Sequence, residues 1–151
     1  MLYCEASISK SGLLCHFELH RSFSFYKLFT GADSLFHKPV RATMSSTMSS
    51  KYSADKCIDG DIVGREVDGN MCHSHHNLYP WLAIDYGTAV TVDRVEIYNR
   101  RSACCGNRTK NVDVRISNKL PKGKHRKFTG GSLLGHFAGP AKKGQHIVIS
   151  G

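Results

Sequence analysis

Residues 81–87 read Trp-Leu-Ala-Ile-Asp-Tyr-Gly, and residues 112–116 read Val-Asp-Val-Arg-Ile. The second stretch alternates apolar and polar residues in strict period two, which is typical of a β-strand with one buried and one solvated face. The first stretch is interpreted as a strand that stops at Gly87, because glycine favours a turn. Both stretches predict a core that is built from strands.

Four more apolar or β-branched stretches predict short strands: residues 90–93, 95–98, 133–137 and 146–149. Turn signals separate these stretches, and no long amphipathic helix competes with them. A single helical turn is expected after Ser53, which can serve as its N-cap. Short strands at close spacing indicate an all-β antiparallel sandwich or barrel.

A length of 151 residues suggests one domain. Residues 1–37 show no sustained period and are interpreted as an N-terminal extension, which leaves residues 38–151 for the domain. The chain carries 21 Lys and Arg against 12 Asp and Glu, and residues 119–143 hold seven of these cations and no acid. We interpret the basic stretch as a solvated loop and not as a nucleic-acid site, because few aromatic residues accompany it.

The six cysteines include no Cys-x-x-Cys pair, which argues against a zinc ribbon and a thioredoxin-like motif. One adjacent pair with scattered single cysteines favours an oxidising compartment, so we expect an extracellular protein. The apolar residues of 13–28 are interrupted by charged residues and histidines, so no signal peptide is recognised in this sequence. No stretch is apolar enough to predict membrane insertion.

Residues 98–110 read Tyr-Asn-Arg-Arg-Ser-Ala-Cys-Cys-Gly-Asn-Arg-Thr-Lys. Cys104 and Cys105 can close a vicinal disulfide, whose outer edge is a flat and apolar plate. Three arginines would place fixed donors beside this plate: Arg100, Arg101 and Arg108. A sugar has the same mixed character, with hydroxyl groups on its rim and C–H groups on its face. The alternative is a pair of reduced cysteines in a basic loop.

Four oxygen-bearing residues between Cys57 and Cys72 suggest a calcium site: Asp59, Asp61, Asp68 and Asn70. Their spacing is not that of an EF-hand, and ordinary polar turn residues are the open alternative. Residues 72–76, Cys-His-Ser-His-His, raise the question of zinc. They supply neither spaced pairs of ligands nor a Glu base, so hydrogen-bonding histidines are the favoured interpretation.

Several short motifs together resemble the F-type lectins, a fucose-binding family with a fold akin to discoidin domains. They are found at residues 38–40, 57–60, 72–73, 80–87, 99–100 and 104–108. The resemblance covers residues 38–151. It implies a calcium-stabilised, secreted lectin with a discoidin-like jelly-roll fold and a role in innate immunity. It also implies that the chain lacks the last strand of the fold, whose cysteine would pair with the one matching Cys72, so Cys72 is expected to lack its partner.

The resemblance implies a sugar site made of one histidine and two arginines. His73 lies 27 positions before Arg100, as in the family, and Arg108 follows the paired cysteines. These three residues would bond the sugar oxygens, with the Cys104–Cys105 plate against the apolar face. Arg101 and His75 are the runners-up for the first arginine and the histidine.

Two further features of this stretch bear on the site. The family commonly has an Asp before the paired cysteines where this chain has Ala103, which would loosen Arg108 and lower affinity. Asn107-Arg108-Thr109 is a glycosylation sequon within the proposed site.

The leading prediction is therefore a non-enzymatic lectin for terminal L-fucose, with fucosylated glycans as partners. Because each hydrogen bond adds only about 1 kcal/mol, a homo-oligomer would be needed for avidity. The alternative is a discoidin-like module that binds anionic lipid or a protein partner through basic residues 122–127. A zinc hydrolase built on the histidines ranks last, because no acid–base pair accompanies them.

Overall fold

The computed structural model describes residues 14–18, 24–25, 39–60, 69–90, 92, 94–123 and 126–151, with the backbone alone for the first two segments. These residues contain nine strands: β1 (Leu14–Glu18), β2 (Ser24–Phe25), β3 (Arg41–Met44), β4 (Cys72–His73), β5 (Trp81–Asp85), β6 (Arg94–Tyr98), β7 (Val112–Ser117), β8 (Ser132–Phe137) and β9 (His146–Ser150). Three single turns of 3-10 helix lie between them: Ser50–Tyr52, Ala54–Cys57 and Gly106–Arg108.

The main sheet has five strands in the order β3-β5-β1-β7-β8, and every pairing in it is antiparallel. The strands β6 and β9 form a separate antiparallel pair, and β2 pairs with β4. This arrangement confirms the prediction of an all-β, discoidin-like sandwich. The described strands do not close into a barrel, so the sandwich is the correct one of the two predicted architectures.

The core lies between the main sheet and the β6–β9 pair. Strict alternation puts Val95 and Ile97 of β6 inward, and both are fully buried. They meet Ile147 and Ile149 from β9 and the apolar residues of β5 and β7. A side chain at Gly135 of β8 would lie 2.6 Å from Ile149, so glycine lets the two layers approach closely there.

The strand β1 belongs to the segment that was interpreted as an extension. It occupies the middle of the main sheet, where Phe17 pairs with Leu82 on one side and Val114 on the other. Pairing on both sides explains why a stretch without a clear period forms a strand. The domain boundary at residue 38 stays a prediction. One strand of the main sheet, β1, comes from the segment before that boundary.

Most of the predicted strands are observed with ends shifted by one or two residues. The prediction of a strand at residues 90–93 is wrong at the two positions that are described, because Val90 and Val92 lie outside any strand. Both valines are buried in the core instead. There they contribute apolar area although they form no hydrogen-bonded strand pairing. The predicted turn of helix after Ser53 is observed at Ala54–Cys57, although the Ser53 side chain makes no capping hydrogen bond.

A disulfide joins Cys57 to Cys72. The expectation that Cys72 would lack a partner is therefore wrong. The turn Ala54–Cys57 brings Cys57 to 5.4 Å from Cys72 between Cα atoms, which is within the usual range for a bridge. Both cysteines are fully buried, and the bridge fixes the two ends of the segment that holds the predicted calcium ligands.

Among the residues that the structure describes, no helix is long and apolar enough to cross a membrane.

Candidate sugar-binding site

The loop that joins β6 to β7, residues 99–111, is called the Cys–Cys loop below. Its shape depends on the amide of Asn99, which is 1% exposed. The Asn99 Nδ2 group donates to the carbonyls of Gly106 and Lys142, both at 2.8 Å. The Thr109 hydroxyl donates to Asn99 Oδ1 at 2.9 Å. One buried side chain therefore ties together the start, the middle and the end of the loop.

Backbone hydrogen bonds hold the same loop to the segment before β9. The Asn99 amide donates to the Gln145 carbonyl, and the Gly144 amide donates to the Arg100 carbonyl, both at 2.8 Å. The Ala141 amide donates to the Thr109 carbonyl at 2.8 Å. The loop is thus fixed before any ligand arrives, which lowers the entropy that binding must cost.

The tip of the Cys–Cys loop carries a disulfide between Cys104 and Cys105. Cys104 is exposed, Cys105 is half-buried and has a positive φ of 75°, and the turn Gly106–Arg108 follows directly. The Arg108 amide donates to the Cys105 carbonyl at 3.2 Å. The turn therefore returns Arg108, which is half-buried, toward the disulfide that precedes it.

Arg100 begins the loop and is almost completely buried, with 2% of its surface exposed. Its Nε–H donates to the Ser102 hydroxyl at 2.5 Å. The resemblance to the F-type lectins implies an Asp before the paired cysteines that would orient Arg108, and this chain has Ala103 there. The Ser102 hydroxyl performs a similar local task for Arg100, since a guanidinium held by one hydrogen bond loses less freedom when it binds a second acceptor.

His73 lies on β4 and is 4% exposed. Its Nδ1 is 2.7 Å from the Ser74 carbonyl oxygen. A carbonyl can only accept, so Nδ1 carries the proton, and in the neutral ring Nε2 then has the lone pair. An acceptor nitrogen complements arginines, which only donate. The Met48 amide, which donates to the His73 carbonyl at 2.9 Å, helps to fix this strand.

A small apolar cluster connects His73 with the Cys–Cys loop. It consists of Tyr52 and Met71, which are buried, and Tyr98, which packs against them. Tyr52 also lies against His73, with ring centroids 5.9 Å apart. Tyr98 directly precedes the Cys–Cys loop, so the cluster brings the two predicted parts of the site to the same region.

The two runners-up differ from the first choices in exposure. Arg101 and His75 are exposed, whereas Arg100 and His73 are buried. The stem of Arg101 lies beside Gly144, where an added Cβ would be 3.2 Å from Arg101 Cγ. The His75 amide donates to the Ser46 hydroxyl at 3.1 Å. Arg100 and His73 therefore face the interior of the domain, whereas Arg101 and His75 face solvent.

Polar groups on the outer face of β6 adjoin this region. The Tyr98 ring stacks on His146, with centroids 4.2 Å apart, and His146 Nε2 lies 2.7 Å from Glu96 Oε2. Arg94 Nε donates to the other oxygen of Glu96 at 3.0 Å. Partial burial, and then the charge and hydrogen bond of Glu96, raise the pKa of the Tyr98 hydroxyl above its ordinary value of 10.0.

The predicted calcium ligands are only partly described. Asp59 is exposed and Asn70 is half-buried, whereas Asp61 and Asp68 lie outside the described residues. In the described part of the chain, no three His, Cys, Asp or Glu side chains lie close enough together to hold a metal ion. This finding also gives no support to a zinc site at residues 72–76, where Cys72 is engaged in a disulfide.

Sequence reasoning did not assign a role to Asn99, Ser102 or Thr109. Asn99 was noticed only as part of a family motif, and Thr109 only as part of the sequon. In the structure the Thr109 hydroxyl is buried and engaged with Asn99, while Asn107 is exposed. The signal that could have identified Asn99 is its position: it is a polar residue directly after a predicted strand, at the start of the loop that carries the cysteine pair.

Comparison with known proteins agrees with this fold. Residues 56–130 match a family model described as the NedA-like, galactose-binding domain of the F5/F8 type C group. The chain is 32% identical over 79 residues to a pentraxin fusion protein of Xenopus laevis, covering 52% of this chain and 19% of that protein. It is 29% identical over 84 residues to a fucolectin of Anguilla anguilla, covering 53% of this chain and 52% of that protein.

The chain thus spans about half of the fucolectin and about a fifth of the pentraxin fusion protein. No solved structure matches the chain significantly. Residues 56–130 are therefore similar to the galactose-binding-like domains of the F5/F8 type C group, and the chain resembles the F-type lectins.

Proposed function

We propose that this protein is a lectin that binds terminal L-fucose and catalyses no reaction. The galactose-binding family model and the similarity to a fucolectin support carbohydrate binding. The observation that carries the fucose proposal is the cluster of Tyr52, Met71 and Tyr98, which joins the strand of His73 to the loop of Arg100, the disulfide and Arg108.

Each member of the proposed site has a distinct chemical task. Arg100 and Arg108 donate to the ring oxygen and hydroxyls of the sugar, and His73 Nε2 accepts from a hydroxyl. The exposed edge of the Cys104–Cys105 disulfide lies against the apolar face of the sugar. Arg100 and His73 are only 2% and 4% exposed, so competing water has little access to either side chain.

The proposal predicts that Arg108→Ala abolishes retention on a fucose resin without unfolding the domain. A charged, two-pronged hydrogen bond contributes about 1.5–3 kcal/mol, which corresponds to a loss of roughly 10- to 150-fold in affinity. Arg108→Lys should also weaken retention, since an ammonium keeps the charge but lacks the planar fork. Retention is measured by affinity chromatography, and folding by circular dichroism.

Arg126→Ala is the matched control, because it removes an exposed arginine from the loop after β7. Equal retention of Arg108→Ala and wild type would refute the site. Arg101→Ala should retain binding, and its loss would instead assign the first arginine to position 101.

We further propose that calcium stabilises the domain through Asp59, Asp61, Asp68 and Asn70. Three carboxylates and one amide oxygen are the hard donors that calcium prefers, and the Cys57–Cys72 disulfide fixes both ends of their segment. Saturating calcium should raise the melting temperature by roughly 5–10 °C over a chelated sample. Asp61→Asn should reduce this shift, and identical melting curves with calcium and with chelator would contradict the proposal.

The two disulfides of the structure suit an oxidising compartment, so we propose an extracellular location. A single shallow site binds weakly, and clustering of several copies would supply the avidity. Gel filtration with and without a multivalent fucosylated ligand tests this oligomer proposal.

A further inference from the structure

The loop that follows β7, residues 118–131, is called the basic loop below, and the structure describes all of it except residues 124–125. A cleft of about 320 Å³ opens where this loop leaves β7 and enters β8. Its walls combine one aromatic ring with a cation, an amide and hydroxyl groups: Phe128, Lys119, Asn118, Ser117 and Ser132. An apolar ring next to several hydrogen-bonding groups is the mixed surface that a sugar ring requires.

Two glycines create the space for this cleft. A Cβ at Gly130 would lie 2.7 Å from Phe128 Cζ, so the Phe128 ring rests on bare backbone. A Cβ at Gly131 would lie 2.1 Å from the Ile116 carbonyl oxygen, and this glycine has a positive φ of 72°. The cleft is therefore built into the backbone of the β7–β8 connection.

One cation, Lys119, lines the cleft, and further cations lie in the same loop. Lys119, Lys122, Arg126 and Lys127 are exposed, and the last acidic residue of the sequence is Asp113. Several exposed cations in one loop give a positive potential that attracts polyanions. The Trp81 indole donates to the Gly123 carbonyl at 2.9 Å, which ties this cationic loop to the first residue of β5.

We propose that this cleft is a second glycan site, which binds a polysaccharide carrying sulfate or carboxylate groups. A sugar ring lies on Phe128, its hydroxyls bond Asn118 and Ser132, and its anionic groups meet Lys119 and the other exposed cations of the basic loop. Sulfate accepts hydrogen bonds from lysine and arginine in the same way as other oxyanions.

Two other polyanions fit the described residues less well. A membrane surface favours apolar side chains that protrude beyond the cations, whereas Leu120 is only 38% exposed and Phe128 is half-buried. A nucleic-acid strand favours several aromatic rings for successive bases, and the described part of the basic loop offers one. A single ring among hydroxyls and cations matches an anionic sugar.

The second site is separate from the proposed fucose site. The Cys–Cys loop ends at the first residue of β7, Val112, and the basic loop begins after the last, Ser117. At about 3.3 Å per residue the two ends of this strand are roughly 17 Å apart. Loss of one site should therefore leave the other intact, and the two proposals can fail independently.

Heparin, as a sulfated polysaccharide, is the probe for this proposal. Lys122→Gln with Lys127→Gln removes two exposed charges of the basic loop, and Lys142→Gln with Lys143→Gln removes two exposed charges before β9 as the matched control. The first pair should elute from heparin resin at clearly lower salt than wild type, while the control pair elutes close to wild type. Phe128→Leu keeps apolar volume but removes the ring, and should also elute earlier.

Three results would overturn the proposal. An equal shift for both charge pairs would show that net charge alone governs retention. Unchanged elution of Phe128→Leu, with its fold verified by circular dichroism, would exclude the cleft. Stronger binding to phosphatidylserine vesicles or to duplex DNA than to heparin at the same salt would assign the surface to those partners. Retention of the Lys122→Gln/Lys127→Gln protein on fucose resin confirms that the other site is intact.

Discussion

The Cys–Cys loop and the basic loop flank the same strand, β7, yet they are held in opposite ways. The first has a buried amide, Asn99, that satisfies three partners of its own loop and of the segment before β9. The second carries exposed cations, and its described side-chain bonds to the rest of the domain join the Trp81 indole to the Gly123 carbonyl and the Lys119 amide to the Ser117 hydroxyl. The difference indicates that one end of β7 is organised by internal hydrogen bonds and the other by surface charge.

The largest expected effect comes from Asn99→Ala. The change leaves two carbonyls and the Thr109 hydroxyl without their buried partner, at about 1–3 kcal/mol each. We expect a loss of roughly 4 kcal/mol in the free energy of unfolding and a melting temperature lower by about 10 °C, with loss of fucose retention. Thermal melts and affinity chromatography measure these effects.

Asn118→Ala is the matched control in the basic loop. Asn118 is exposed, and exposed substitutions usually change stability by less than about 0.5 kcal/mol. Similar melting temperatures for the two alanine variants would remove the contrast between the loops.

A reducing agent should change ligand binding at the Cys–Cys loop but not at the basic loop. Cys104 is exposed whereas Cys57 and Cys72 are fully buried, so mild reductant should open the vicinal disulfide first. We expect fucose retention to fall several-fold because the apolar plate is lost, while elution from heparin stays unchanged. The double variant Cys104→Ser with Cys105→Ser should reproduce this result without reductant. Equal fucose binding in both redox states would count against the plate.

The smallest expected effect concerns Tyr98 at the start of the Cys–Cys loop. Because its pKa is raised in the folded state, the folded protein holds the phenol proton more tightly than the unfolded chain. This contribution to stability is complete below pH 10 and is lost as the pH rises through the folded pKa. Tyr98→Phe should therefore lose less melting temperature than wild type as the pH rises from 9 to 11. Parallel losses would show that Tyr98 does not contribute.

Periodicity was sufficient to predict the strands that pack one face on the core. The alternation of residues 112–116 corresponds to β7, in which Val112 and Val114 are fully buried. The same reasoning failed for residues 90–93, because two buried valines are equally compatible with an extended segment outside any sheet. The order of apolar and polar residues indicates which side chains are buried. It does not indicate whether a partner strand is present.

Contacts between distant segments could not be predicted from pattern. The Cys57–Cys72 bridge depends on a turn that places the two Cα atoms together, and the family resemblance implied a different partner. The burial of Arg100 was equally hidden, because an arginine beside a cysteine pair is expected to face solvent. The motif located the candidate site, but the structure was needed to identify Asn99 and Ser102 as its supports.

The position of β1 has a consequence for synthesis of the chain. Leu14–Glu18 leaves the ribosome early, whereas Val112–Ser117, one of its two neighbours in the sheet, follows about a hundred residues later. At roughly 5–20 residues per second, this strand waits for several seconds before both of its edges are paired. During that interval its open backbone groups are available to other chains, so a nascent chain of this protein should depend on chaperones until Val112–Ser117 has been made.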